Sequence, residues 1–138
     1  MASTFICDIV TPERLIYSEE VTFVAVPATE GDIGMHLKVA PIMSTLRLGE
    51  VHTRVEGSDV LRRFAVDGGY VEADGNKVVV LATRAAKLDE VDPEHVREQK
   101  AEYERRASTL AEDDPQAAYA KGEIAWCELL ERLITVNQ

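Results

Sequence analysis

The sequence predicts an α+β protein in which an N-terminal β-sandwich, a flattened barrel of about ten strands, precedes a C-terminal antiparallel αα-hairpin. Up to Leu88, short apolar runs with alternating polar residues are separated by Gly, Pro and Asp, as in half-buried strands. After Leu88, two stretches of about twenty residues have helical spacing and no interior proline. Because the helices do not alternate with the strands, a doubly wound nucleotide-binding sheet is not expected. We place the domains at residues 1–86 and 87–138.

The predicted strands recur at intervals of roughly 8–12 residues, which is typical of a sandwich or barrel. Asp74-Gly75-Asn76 predicts a tight hairpin, because both central residues tolerate a left-handed backbone. Asp67-Gly68-Gly69 offers the same freedom before the next strand. The individual strand predictions are Phe5–Val10, Val21–Pro27, a run starting at Gly49, Val60–Val66, Tyr70–Ala73 and Val78–Ala82, the last as a fully buried strand.

Each helix of the predicted hairpin has an N-terminal signal. Asp92 can cap the first helix, with Pro93 at the first helical position, and Asp113 or Asp114 before Pro115 repeats this pattern. Helical spacing predicts one stripe on each helix, and small residues are expected to bring the two helices close together. The stripes are Val96, Tyr103, Ala107 and Leu110, then Tyr119, Trp126, Leu130 and Leu133; the small residues are Ala107, Ala118, Gly122 and Ala125.

Charge and hydropathy restrict the function. A net charge of −10 over 138 residues argues against binding to nucleic acid or to an anionic membrane surface. The predicted hairpin is the more acidic part, with 7 basic and 13 acidic residues after residue 86 against 8 and 12 before it. The longest apolar runs are too short to cross a bilayer, so direct membrane insertion is not expected, and no secretory signal is recognised.

The sequence also lacks the common catalytic motifs. It contains no G-x-S-x-G, no phosphate-binding glycine loop before a helix and no H-E-x-x-H. We therefore predict no catalytic residues, no metal site and no cofactor, and we interpret His36, His52 and His95 as surface or hydrogen-bonded polar residues. Cys7 and Cys127 are interpreted as buried, inert thiols.

One segment carries a family resemblance. Glu30-Gly31-Asp32-Ile33-Gly34 is predicted to be a tight loop that offers an exposed carboxylate beside an apolar anchor. With Val26-Pro27 before it and Ala40-Pro41 and Leu46-x-x-Gly49 after it, this run resembles the signature segment of the epsilon subunit of the F-type ATP synthase. Further matches in order extend the resemblance over nearly the whole chain: Thr11-Pro12-Glu13, Phe64 to Gly69 with Val71-Glu72, and Asn76 to Val80.

The resemblance implies a non-catalytic rotor subunit of the central stalk, which links the gamma subunit to the c ring and couples proton flow to ATP synthesis. It implies a peripheral position on the cytoplasmic face of the bacterial plasma membrane, with a plastid thylakoid as the alternative. The hairpin would regulate ATP hydrolysis, reaching the alpha/beta catalytic head when extended. The residues implied at the contact with the c ring and gamma are Glu30, Gly31, Asp32, Ile33, Gly34 and Met35.

Three departures from the family pattern limit these expectations. Leu37, Lys38 and Val39 replace the usual Pro, Gly or Asn and His before Ala-Pro. A nucleotide-binding motif at the start of the hairpin keeps Asp92 but lacks its Arg and Ala, so weak or absent ATP binding is expected. The acidic hairpin also lacks the basic excess of inhibitory arms. The alternative function is a stand-alone sensor module for a small molecule, in particular a nucleotide.

Overall fold

The computed structural model describes residues 4–36 and 41–136, the last of these by its backbone alone. The predicted fold class is confirmed: within these residues, ten strands are followed by two long helices. The chain divides into two compact units, residues 1–89 and 90–138. The departures noted at Leu37, Lys38 and Val39, and the neighbouring Ala40, lie outside the described residues.

The elements have the following bounds. The strands are β1 (Phe5–Val10), β2 (Leu15–Val21), β3 (Phe23–Ala28), β4 (Gly31–Met35), β5 (Ile42–Thr45), β6 (Gly49–Arg54), β7 (Arg62–Asp67), β8 (Tyr70–Asp74), β9 (Lys77–Leu81) and β10 (Arg84–Lys87). A 3₁₀ turn at Leu88–Glu90 precedes the helices α1 (Pro93–Ser108) and α2 (Pro115–Val136).

The strands form two five-stranded sheets. The first has the order β2-β1-β9-β8-β5 and is antiparallel except for the β1–β9 pair, which is parallel. The second has the order β10-β7-β6-β3-β4 and is antiparallel throughout. Their inner faces supply one core, in which Phe64 packs on Tyr17 with ring centroids 4.7 Å apart. The buried Tyr17 hydroxyl lies 2.9 Å from Thr53 Oγ1, which satisfies both polar atoms.

Two strand predictions need correction. The segment predicted as one strand from Val21 to Pro27 contains a break, because β2 ends at Val21 and β3 begins at Phe23. The intervening Thr22 donates its N–H to the carbonyl of Arg54, 2.8 Å away. Val78–Ala82 is not fully buried: its β9 residues alternate between buried and half-buried positions, because only one face meets the core.

The predicted loop at Glu30–Gly34 is also wrong. Gly31–Met35 forms strand β4, paired antiparallel with β3 through the register Val26↔Ile33. The chain reverses within Thr29 and Glu30 alone. Gly31 has φ +140°, which residues with a side chain rarely adopt. This glycine conformation lets β4 begin directly after the turn.

Both predicted caps are present. The Asp92 carboxylate accepts a hydrogen bond from the N–H of Glu94 at 3.0 Å, and of the two candidates for α2 it is Asp114 that caps, at 2.9 Å from the N–H of Gln116. The prediction that Ala118 and Gly122 bring the helices together is wrong, because both are exposed. The buried side of α2 is formed instead by Ala117, Ala120, Trp126, Cys127, Leu129 and Leu130.

The Cys7 thiol should be unreactive in the folded protein. Burial, and secondarily the charge of Asp8, raises its pKa to about 12, so at pH 8 only about one thiol in ten thousand is ionised. We expect a thiol-specific alkylating reagent to modify Cys7 at pH 8 only after urea unfolding, as followed by peptide mass spectrometry. Rapid modification of Cys7 in the native chain would contradict its position in the core.

Candidate functional site

The segment predicted to contact partners lies at an edge of the second sheet. Strand β4 pairs with β3 on one side and is the last strand of its sheet. Glu30 and Asp32 are exposed, whereas Met35 is buried and Ile33 half-buried against the core. A Cβ at Gly34 would come within 3.0 Å of the Phe23 ring, so glycine lets β4 lie close to that ring. The structure thus presents two carboxylates on a firmly anchored edge.

A residue that the sequence did not indicate completes this edge. Arg47, in the connection between β5 and β6, places Nη2 2.5 Å from Asp32 Oδ1 and donates from Nη1 to the carbonyl of Ala28 at 2.6 Å. The side chains of Arg47 and Asp32 are 45% and 71% exposed. Both charges are therefore compensated within the chain and still accessible to a partner. We call Glu30, Asp32 and Arg47 the edge triad.

Main-chain contacts hold the edge triad in place. The N–H of Arg47 donates to the carbonyl of Pro27 at 2.9 Å, and the N–H of Thr29 donates to the carbonyl of Thr45 at 2.9 Å. A Cβ at Gly49 would lie 2.7 Å from the Pro27 Cβ, a distance that real Cβ atoms do not show. The glycine that closes the signature segment is thus required for the close approach of residues 45–49 to the end of β3.

A second carboxylate cluster lies farther along the same sheet. The Arg63 guanidinium donates to Glu50 Oε2, and His52 Nδ1 lies 3.6 Å from Glu50 Oε1. Burial raises the pKa of the Glu50 carboxyl, but His52 and Arg63 together outweigh burial and hold it below its usual value. We attribute more of this lowering of the pKa to Arg63, because its guanidinium donates to the carboxylate, whereas His52 Nδ1 at 3.6 Å lies beyond hydrogen-bond distance. The cluster joins neighbouring strands β6 and β7.

The outer face of the first sheet carries an apolar row. Strand pairing places Leu15 beside Val10, Val10 beside Leu81, and Leu81 beside Tyr70, so four strands contribute one residue each. Leu15 is 55% exposed and Tyr70 42% exposed. We call these four residues the apolar row. Sequence reasoning missed it, because the residues are far apart in the chain and only the register brings them together. Exposed apolar surface of this kind is typical of a protein contact.

The Asp92 carboxylate is already used. It caps α1, and the carbonyl of Asp92 accepts from the N–H of Val96 at 3.1 Å. Arg97, the nearest arginine in the sequence, pairs with Glu94. A triphosphate bound here would face the negative Asp92 carboxylate, and the Arg97 guanidinium is already paired with Glu94.

ATP binding at the start of α1 is accordingly expected to be weak or absent. Titration of the full chain with MgATP in a calorimeter should give no saturable heat below about 1 mM ligand, which corresponds to a binding free energy weaker than about −4 kcal/mol. Asp92→Asn, which keeps a capping side chain, should leave the result unchanged. Saturable binding in the micromolar range that Asp92→Asn abolishes would contradict this expectation.

Within α1 and α2, ion pairs and aromatic contacts join the two helices. Lys100 Nζ lies 3.1 Å from Glu131 Oε1 and 3.9 Å from Glu128 Oε2. The rings of Tyr103 and Tyr119 meet edge-on, with centroids 6.1 Å apart. Tyr119 was expected within the apolar stripe of α2, but the residue is 55% exposed.

Over the described residues, no group of three His, Cys, Asp or Glu side chains is arranged to hold a metal ion. No helix in the same residues is both long and apolar enough to cross a membrane. The arrangement is that of a β-sandwich protein with an appended antiparallel helix pair.

Known proteins with this arrangement identify the family. Residues 4–88 match the family model for the beta-sandwich domain of the ATP synthase Delta/Epsilon chain. The ATP synthase epsilon chain of Carboxydothermus hydrogenoformans is 41% identical over 115 residues, covering 83% of this chain and 82% of that one. That of Rhodospirillum rubrum is 39% identical over 123 residues, covering 88% and 91%. The chain belongs to the ATP synthase delta/epsilon family, which confirms the resemblance.

Solved structures show the same fold. A chain in the mitochondrial ATP synthase of Euglena gracilis, a structure of OSCP, F1 and c-ring, superposes with a TM-score of 0.78 at 18% identity, covering 95% of this chain and 81% of that one. A chain in the central stalk and c-ring structure of the Tetrahymena thermophila mitochondrial ATP synthase gives 0.63 at 17% identity, covering 96% and 97%. At these identities the likeness concerns the fold.

Proposed function

We propose that this chain is a rotor subunit of the central stalk of an F-type ATP synthase, linking the gamma subunit to the c ring and having no active site of its own. The observation that carries the proposal is the identity of 36–41% with ATP synthase epsilon chains over about four fifths of the chain or more. The structural neighbours come from one ATP synthase structure described as OSCP, F1 and c-ring and another described as central stalk and c-ring, which supports the proposal. We place the chain at the cytoplasmic face of the bacterial plasma membrane as a peripheral protein.

We propose that the apolar row and the edge triad each contact one of the two partners. We assign the apolar row to gamma, because exposed and half-buried aliphatic and aromatic side chains on the outer face of a sheet suit a lasting protein contact. We assign β4 and the edge triad to the c ring, because exposed charged groups on a sheet edge suit a polar loop surface. Of the residues that the resemblance implied at this contact, we propose the exposed Glu30, Gly31, Asp32 and Gly34 as the contacting ones, with Ile33 and the buried Met35 anchoring β4 to the core.

The helix pair is proposed as the regulatory part. α1 contributes one buried apolar residue, Val96, so most of its surface is polar. Its link to α2 through Lys100 and the tyrosine pair is partly exposed, and such contacts are individually weak. Rearrangement of α1 and α2 on reaching the alpha/beta catalytic head is therefore energetically accessible. Whether it restrains ATP hydrolysis can be measured by comparing the full chain with residues 1–89 in the reconstituted enzyme.

Binding to gamma tests the proposal. Leu15→Asp and Tyr70→Asp each place a charge in the apolar row, and we expect each to weaken gamma binding at least about thirtyfold, because the charge would be desolvated at the interface. The measurement is co-purification and titration of the full chain with gamma. Val60→Asp is the matched control, since Val60 is 69% exposed but lies outside the row. A wild-type chain that never associates with gamma would remove the proposed function.

A further inference from the structure

We propose that Arg47 is a specificity-determining residue of the contact made by the edge triad. The partner would recognise which position of the Asp32–Arg47 pair carries the negative charge and which the positive charge. The partner surface that fits is a loop presenting a basic side chain to Asp32 and an oxygen acceptor to Arg47. This inference rests on the proposed function, because it concerns the surface there assigned to the c ring.

The position of Arg47 is fixed without help from a partner. Its guanidinium donates to the carbonyl of Ala28 at 2.6 Å, and its backbone N–H donates to the carbonyl of Pro27 at 2.9 Å. Both acceptors belong to β3, the strand that also holds β4. The arginine is therefore oriented by the sheet, and Asp32 is oriented by the arginine.

Stability of the isolated chain does not account for this arrangement. An ion pair whose side chains are 45% and 71% exposed contributes little to folding, since water screens both charges. The connection from β5 to β6 is already held by main-chain hydrogen bonds of Thr29 and Arg47. The pair is best explained by what it offers to a second surface.

The groups left over define the partner. A guanidinium has five N–H donors, and two are used here, by Ala28 and Asp32. Within residues 4–36 and 41–136, the other three donors of this accessible side chain and the second oxygen of Asp32 are not hydrogen-bonded. Desolvating an unpaired carboxylate at an interface would be costly. A carboxylate that is already paired with a guanidinium has less solvation left to lose when a partner covers it. With Glu30 two residues before Asp32 in the chain, this edge carries two negative charges and one positive charge.

The test uses the full chain and a purified complex of gamma with the c ring. Asp32→Asn and Arg47→Gln should each weaken binding about tenfold. Arg47→Lys should weaken it similarly, because an ammonium lacks the planar fork that bonds Ala28 and Asp32 together. Arg54→Gln is the matched control: Arg54 lies at the opposite end of β6 from Gly49 and should bind as wild type.

Exchange of the two charges gives the decisive result. Asp32→Arg with Arg47→Asp preserves an internal ion pair but reverses its direction. If the partner recognises the positions of the two charges, the exchanged chain binds the complex at least about tenfold more weakly than wild type, while its thermal unfolding midpoint changes little. Recovery of wild-type affinity by the exchanged chain, or unchanged affinity in Arg47→Gln, would overturn the inference and leave the proposed function intact. A wild-type chain that does not bind the complex would overturn both.

Discussion

Replacing Gly69 by alanine should destabilise the sandwich by about 3 kcal/mol or more, a large fraction of the free energy of unfolding of an ordinary domain. Gly69 has φ +101°, and a Cβ built there would lie 2.8 Å from the Ala82 Cα and closer still to the carbonyl oxygen of Leu81. These obstacles are backbone atoms, so a side-chain rotation cannot relieve them. Strands β8 and β9 would have to separate where they pair. Urea unfolding monitored by far-UV circular dichroism measures the change.

Gly57 provides the control for this experiment. It also has a positive φ, +79°, but a Cβ there would meet nothing within 4 Å. Gly57→Ala should therefore report the conformational cost alone, about 1 kcal/mol. Equal losses in Gly57→Ala and Gly69→Ala would show that the close approach to Leu81 and Ala82 does not matter. In that case our account of the β8–β9 pairing would be incorrect.

Truncation of Phe64 to alanine should cost about 3–5 kcal/mol in the free energy of unfolding, because it removes a ring from the centre of a close-packed core. Phe64 is fully buried on β7, and its ring packs on Tyr17, whose hydroxyl is in turn bonded to Thr53. Loss of the ring would leave a cavity and loosen that hydrogen bond. Chemical denaturation gives the free energy.

The control for Phe64 is another aromatic truncation on a strand. Tyr70→Ala removes a ring that is 42% exposed, and we expect it to cost less than about 1 kcal/mol. The unfolding m-value should stay constant in both variants if unfolding remains two-state. A Phe64→Ala chain as stable as Tyr70→Ala would mean that the two sheets do not meet at Phe64.

Features with local signals could be predicted from the sequence. The Asp92 and Asp114 caps and the turn at Asp74-Gly75-Asn76 each depend on a few adjacent residues, and each is present. Strand β2 was missed for the opposite reason. Only Tyr17 and Val21 of its seven residues are buried, so it lacks the apolar alternation that marks a strand.

The surfaces could be predicted only in part. Asp32 was indicated by its place in the signature segment, but Arg47 is fifteen residues away, and only the pairing of β3 with the β5–β6 connection brings them together. The apolar row depends likewise on the register of four strands. Such juxtapositions are set by tertiary structure, and short-range patterns do not contain them.

The parallel pairing of β1 with β9 has a consequence for biosynthesis. Ile6 lies beside Lys77, so β1 finds this neighbour only after some seventy further residues have been synthesised. Until then β1 lacks β9, one of the two strands that pair with it, and its core-facing side chains are incompletely buried. Large sequence separation slows folding, and we expect the nascent polypeptide to depend on chaperone protection until the ninth strand emerges.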